Sequence, residues 1–501
     1  MIYADEMRTL SHWINGHSTP GTSGRHSPVF NPATGEQTGT VDLASVTEVD
    51  AAVAAAAAAF PAWRATSLSR RSEIMFRVRE ILDARRKELA EIISNEHGKV
   101  IADAMGEIAR GLENVEFACG VPQMLKGGFS EQAANGVDVY SIRQPLGVVV
   151  GITPFNFPAM VPMWMFANAI ATGNTFILKP SEKDPSAALF LAEVLHDAGV
   201  PAGVFNVLHG DKVAVDRLLE HPTVQAVSFV GSTPIAKYVY ETGTAHSKRI
   251  QALGGAKNHM VVLPDADIEM AADAAVSAAY GSAGERCMAI SVVVAVGDSA
   301  DPIVAAINTR LSTLRIGPGS DPDSEMGPLI SKDHRNKVAA YLGAAEREGA
   351  TIVADGRKLN VEGDGFFLGV SLIDNVQPEM SVYTDEIFGP VLCIVRVATY
   401  EEALALVNRN QYGNGVAMFT RDGGAARQFQ FDVQVGMVGI NVPIPVPVAY
   451  YSFGGWKASL FGDTHMYGPE GMQFYTRGKV VTSRWPDPTT STIDLGFPQN
   501  R

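Results

Sequence analysis

The chain is poor in cysteine, lacks a basic surplus and has no long apolar run, and each shortage removes a class of protein. Only three cysteines occur in 501 residues, and Cys119, Cys287 and Cys393 lie too far apart for a metal cluster or a disulfide framework. A reducing compartment, the cytoplasm, is the expected setting. A formal net charge of −14 argues against a nucleic-acid partner, which would need clustered Lys and Arg. The one basic group, Arg70, Arg71, Arg77 and Arg79 with Arg85, Arg86 and Lys87, is interleaved with Glu73, Glu80, Asp83 and Glu88. It reads as a solvated helix face. Apolar runs such as 146–152 are too short to span a bilayer, so no membrane partner is expected. Met1 to Glu6 show no basic segment with an apolar stretch behind it, so no secretory signal is expected.

What is present is a long α/β pattern. At 501 residues the chain should form two or three domains. Alanine-rich 46–60 predicts a helix. Ile74, Val78, Ile81, Leu82, Leu89 and Ile92 recur at helical spacing through 67–95, and a further helix runs over 101–118. From Leu146 the texture changes. Strands are predicted at 148–152, 175–178, 204–208 and 226–230, with helices at 162–171, 185–198, 212–219 and 234–242. That alternation implies βαβ units and a doubly wound parallel sheet. A second alternating region runs from Ile268 past Ile440. Two detached strands, at 137–142 and 479–483, could form an arm that pairs with another subunit, and a polar tail follows from Pro486.

Cys287 carries the chemistry. It sits in Gly284-Glu285-Arg286-Cys287-Met288-Ala289, where an adjacent cation should favour the nucleophilic thiolate. Cys393 lies in an apolar strand and Cys119 ends a helical pattern, so both read as packing residues. Phe229-Val230-Gly231-Ser232-Thr233-Pro234 is a strand running into a helix start, where backbone N–H groups suit a phosphate. Asn156, in Thr153-Pro154-Phe155-Asn156-Phe157-Pro158, could donate to an oxyanion or merely stabilise a turn. Lys179 and Glu182 close another strand, where ligands bind in open sheets, or form a solvated turn. Glu386, before Ile387-Phe388-Gly389-Pro390, is by itself an ordinary surface carboxylate.

Together and in this order, these motifs and Leu253-Gly254-Gly255 resemble the aldehyde dehydrogenase superfamily. The likeness runs over about 13–485. It implies α/β architecture: a doubly wound parallel-sheet cofactor domain from 1–126 and 147–255, and a second α/β catalytic domain from 256–477. A small β oligomerisation arm with its tail would come from 127–146 and 478–501, in a homodimer or homotetramer. It also implies NAD as cofactor, Cys287 as nucleophile, and Asn156 with the Cys287 N–H as oxyanion hole. Thr153, Phe155, Lys179, Glu182, Gly231, Ser232, Leu253, Glu386 and Phe388 would bind the cofactor. Glu182, on the adenosine ribose, would favour NAD over NADP.

One departure is informative. Water-using members place a glutamate immediately before Leu-Gly-Gly, and here that position is Ala252. General-base catalysis is typically worth about 10²–10⁴-fold, so hydrolysis of an acyl-cysteine should be slow. A thiol, coenzyme A, is the better acceptor. Within the superfamily the chain resembles the CoA-acylating branch that acts on methylmalonate or malonate semialdehyde. The resemblance rests on Arg110-Gly111-Leu112-Glu113-Asn114, the Cys287 segment, Gly439-Ile440-Asn441-Val442-Pro443 and Ser452-Phe453-Gly454-Gly455-Trp456-Lys457. It implies that Arg110 and Arg286 bind the substrate carboxylate, although Arg110 could instead pair with Glu107 or Glu113. Two rivals stay open: a hydrolytic enzyme with a recruited base such as Glu285, and a non-catalytic relative.

Overall fold

In the computed structural model the described residues are 8–485 and 489. Residues 1–7 and the rest of the tail expected from Pro486 lie outside them.

Five short strands, between Arg8 and Asp42, precede the first helices. Ser45 caps helix Val46–Ala65 through a capping box with Glu48, satisfying N–H groups that the first turn leaves free. The apolar spacing over 67–95 belongs to two helices, Leu68–Ala84 and Arg86–His97, broken where Arg85 leaves helical geometry. The spacing runs through the break because both pieces bury the same face. Arg71 also departs from its expected place. It is buried and donates to the Ala171 carbonyl at 3.0 Å, while the other arginines form exposed ion pairs.

Eight strands make the first sheet, in the order Leu460–Phe461, Arg249–Leu253, Val224–Val230, Val148–Ile152, Thr175–Lys179, Phe205–Val207, His12–Ile14, His17–Thr19. The middle strands run parallel and the edges antiparallel. Both faces are buried. Val148, Val150 and Ile152 enter one core and Val149, Phe176 and Leu178 the other, as the period-two alternation of a covered parallel strand requires. Val148–Ile152, first of the parallel strands in the chain, pairs with Thr175–Lys179 on one side and Val224–Val230 on the other. The chain builds outward from it on one side and then crosses back from Phe205–Val207 to Val224–Val230 on the other, opening a crevice at the strands' carboxyl ends.

The second sheet has seven strands, from Thr351–Ala354 through Ser371–Asp374, Val391–Val397, Ile290–Val296, Asn258–Val262 and Gly415–Phe419 to Met437–Ile440. It is parallel except at its first edge. Cys393 is a buried residue of this sheet, and Cys119 is buried at a helix end. The detached strands Val137–Pro145 and Thr476–Arg484 pair antiparallel with each other, and Phe129–Ala134 completes a three-stranded arm. No helix among the described residues is long and apolar enough to cross a membrane.

Candidate active site

Cys287 lies at the junction of two cavities. The larger, about 500 Å³, includes Asn156, Gly231, Ser232, Cys287, Glu386 and Phe388 in its wall. The smaller, about 320 Å³, is bounded by Arg110, Arg286, Cys287, Phe157, Trp164 and Met288 among others. One residue therefore borders two chambers of different chemistry.

The nucleophile segment is held from behind. The Cys287 carbonyl accepts from Asn258 Nδ2 at 2.9 Å and Asn414 Nδ2 at 3.1 Å. The thiol itself is not poised as a thiolate. Burial pushes it up to about 12 and the Glu386 carboxylate adds to the rise, while the N–H groups of Cys287 and Met288 and the Arg286 guanidinium pull the other way. The expectation that the neighbouring arginine would set the thiolate is thus corrected. Desolvation outweighs it, and Arg286 is turned toward Asp103, 2.7 Å away.

Asn156 is buried and donates from Nδ2 to the Glu285 carbonyl at 3.0 Å. An amide nitrogen carries two hydrogens, so a second donor remains. The main-chain carbonyl of Asn156 accepts from Lys99 Nζ at 2.6 Å, and Lys99 pairs with Glu107 at 2.7 Å. Glu107 also accepts from the N–H groups of Ala159 and Met160, where helix Met160–Ala171 begins. A buried ion pair thus ties helix Ile101–Cys119 to the Asn156 loop. Charged side chains are rarely buried, and nothing in the sequence pattern marks this pair.

In the larger cavity Gly231 and Ser232 precede helix Thr233–Ala245, whose start has no side-chain cap. Its free N–H groups suit a pyrophosphate. Glu386 accepts from the Ala256 N–H at 2.9 Å, and burial pushes its carboxyl up to about 7. A Cβ on Gly255 would collide with that carboxylate, which explains a glycine there. Phe155 lies in the same wall, edge-on to Phe388. Thr153 is buried at the end of the first parallel strand, with Oγ1 unpartnered. Lys179 and Glu182 pair at 3.6 Å beyond the cavity wall. Leu253 is buried behind it and touches the site through its carbonyl, which accepts from the Gly231 N–H at 3.1 Å. These features fit a dinucleotide: an uncapped helix start for phosphates, and carboxylates for ribose hydroxyls. Sequence reading missed His334, Lys337 and Tyr341, which also face this cavity. Their i, i+3, i+7 spacing on helix Lys332–Glu348 was the available signal.

Ala252 is fully buried in strand Arg249–Leu253 and its side chain offers no polar atom. Glu285, the rival's suggested base, lines neither cavity and is completely buried. Burial pushes its carboxyl up to about 8, and with no surface in either cavity it is not placed beside a water that could reach Cys287. Arg110 both borders the smaller cavity and pairs with Glu113 at 3.1 Å, while Glu107 is taken by Lys99.

A cysteine and an amide side chain in the wall of a crevice suited to a dinucleotide are the features of an aldehyde-oxidising thiol enzyme. Residues 19–481 match the aldehyde dehydrogenase family, and the chain belongs to it. It is 56% identical over 483 residues to a malonate-semialdehyde dehydrogenase of Pseudomonas aeruginosa, covering 96% of this chain and 97% of that one. Among solved structures, a methylmalonate-semialdehyde dehydrogenase from Oceanimonas doudoroffii superposes with a TM-score of 0.95 at 55% identity, over 96% of this chain and 99% of that one. A provisionally assigned methylmalonate-semialdehyde dehydrogenase from Sinorhizobium meliloti 1021, complexed with NAD, gives 0.96 at 53% identity, over 97% and 100%.

Proposed function

We propose that the protein is an NAD-dependent, CoA-acylating semialdehyde dehydrogenase. It would convert methylmalonate or malonate semialdehyde to propionyl-CoA or acetyl-CoA with loss of the substrate carboxylate. The observation that carries this reading is the position of Cys287 between a chamber holding two arginines and a crevice suited to a dinucleotide.

Arg110 and Arg286 hold the substrate carboxylate, since guanidinium matches carboxylate geometry. That fixes the aldehyde carbon beside the Cys287 sulfur. After the thiol gives up its proton to solvent, attack by Sγ forms a carbon–sulfur bond and shifts the carbonyl π pair to the oxygen, which becomes negatively charged. The Cys287 N–H and the free amide hydrogen of Asn156 receive that charge. NAD, when bound, supplies the acceptor for the hydride whose departure leaves a thioester on Cys287. Glu386 and Phe388 would hold the nicotinamide ribose, Gly231 and Ser232 the pyrophosphate, and Lys179 and Glu182 the adenosine ribose, with Thr153 and Phe155 also in the cofactor site. The substrate carboxylate leaves as carbon dioxide or bicarbonate and a proton takes its place on the adjacent carbon. The acyl group passes to the coenzyme A sulfur and the Cys287 sulfur leaves, because Ala252 supplies no base for water. The exposed apolar residues of the arm, Phe129 and Val480, suit an oligomer interface, and three free cysteines suit a reducing cytoplasm.

Steady-state NADH release with each semialdehyde, with and without coenzyme A, tests the reading, with the acyl product identified by mass spectrometry. Turnover should depend on coenzyme A and yield the acyl-CoA. Equal multiple turnover without coenzyme A, releasing a free acid, would overturn it.

A further inference from the structure

One carboxylate clasps both ends of the segment that leads into the nucleophile. Asp103, on helix Ile101–Cys119, accepts from the Ser282 N–H at 2.9 Å through Oδ2 and from Arg286 Nη2 at 2.7 Å through Oδ1. Between these anchors Ser282, Ala283 and Gly284 have φ of 53°, 52° and 73°, three consecutive left-handed residues. Serine and alanine disfavour that region, so surrounding contacts must impose it. Cys287 follows directly. The guanidinium packs closely over Gly281, where an added Cβ would lie 2.5 Å from Arg286 Nη1.

The pair also occupies a boundary. Asp103 and Arg286 line the smaller of the two Cys287 chambers and, on their other side, an outer cavity of about 400 Å³ that includes Tyr280, Gly281 and Arg310. Arg286 could otherwise swing outward. Asp103 occupies Nη2 and leaves the remaining guanidinium donors for another anion.

We infer that Asp103 is a positioning residue for carboxylate-bearing aldehydes, aiming Arg286 into the substrate chamber while bracing the turn that presents Cys287. The inference rests on the proposed carboxylate role of Arg286. It assigns to Asp103 a part in discriminating a 3-oxo acid from an uncharged aldehyde of the same length.

The test compares kcat/KM for malonate semialdehyde and for propanal, with NAD and coenzyme A, in the wild-type enzyme, Asp103→Asn, Arg286→Ala and the double variant. Asparagine keeps an acceptor for the Ser282 N–H but removes the charge facing Arg286. Asp103→Asn should reduce the preference for the acid by about tenfold or more, the scale of one misplaced charge-assisted hydrogen bond. The double variant should discriminate no worse than Arg286→Ala alone, because Asp103 acts through Arg286. A brace with no role in aiming would lower both substrates equally and leave the ratio unchanged, which would overturn the inference. Multiplying penalties in the double variant would overturn it too. An unchanged ratio in Arg286→Ala would overturn the carboxylate role of Arg286 itself. A fall there with none in Asp103→Asn would sink only the role of Asp103. If Asp103→Asn does not fold, Asp103→Glu is read instead. The longer arm shifts the aim while keeping the charge, so a reduced ratio supports the inference and an unchanged one overturns it.

Discussion

Asn156 Nδ2 lies 3.0 Å from the carbonyl oxygen of Glu285, so the amide next to the nucleophile is fastened to the backbone two residues before Cys287. The hydrogen bond uses one N–H and orients the other. Replacing Asn156 with alanine should therefore cost donor and orientation together. The expected fall in kcat is about 10²–10³-fold, the range for losing one oxyanion donor. Pre-steady-state NADH formation would check it, since the loss belongs to the chemistry on Cys287 and not to acyl release. An unchanged burst rate would remove Asn156 from that role.

The support for that loop is itself a target. Lys99 and Glu107 are buried, and Lys99 also lies over the Phe157 ring, 4.5 Å from its centroid. Removing one partner of such a pair leaves a buried charge uncompensated, typically at about 3–5 kcal/mol. Lys99→Met should destabilise the fold by that order in denaturant unfolding. Lys99→Met/Glu107→Leu should recover part of the loss, although the N–H groups of Ala159 and Met160 then lose their acceptor. A single variant as stable as the wild type would show that the pair contributes nothing net.

These two residues also mark where sequence reading stops. The parallel strands are legible because Val148, Val149 and Val150 are β-branched, form a short run and fill both faces of a covered sheet. The members of the site are legible from motif order: Cys287, Asn156 and Glu386 come from distant segments yet border one cavity. What is not legible is which charges turn inward. Arg71 looks like its neighbours on a solvated helix, but Ala171 offers a buried carbonyl that only the fold supplies. Arg286 looks like a thiolate-stabilising neighbour, but its guanidinium is paired with Asp103, far away in the sequence. Propensity and spacing carry no record of such long-range partners. The break at Arg85 is hidden for a related reason, since both helices keep their apolar residues in phase.

Glu285 should make stability depend on pH. Burial raises its carboxyl from 4.5 to about 8, so between those values the native state holds a proton that the unfolded chain has released. Its stabilising contribution is complete below about pH 4.5 and is lost as pH rises toward 8 and beyond. The slope approaches about 1.4 kcal/mol per pH unit for one proton. Glu285→Gln removes this titration while keeping a neutral side chain of similar shape. Subtracting wild-type from variant unfolding free energies should give a difference that grows in the variant's favour from pH 5 to 8. A flat difference would mean the carboxyl ionises normally in the native state.

Glu386 and Cys287 should titrate against each other in the same crevice. The thiol is held up to about 12 by burial first and by the Glu386 charge second, whereas the Glu386 carboxyl itself stands at about 7. Alkylation of the free enzyme by iodoacetamide, a neutral reagent, reports the thiolate fraction at Cys287. That rate should be low at pH 7 and rise roughly tenfold per pH unit through pH 10, with no plateau, because the thiol remains mostly protonated throughout. Glu386→Gln removes the nearby negative charge and should speed alkylation above pH 7, where the wild-type carboxylate is ionised. Below pH 7 both carry a neutral group at that position, and their rates should converge. Equal rates in the two proteins at pH 9 would show that the carboxylate does not act on the sulfur, leaving burial alone to restrain it.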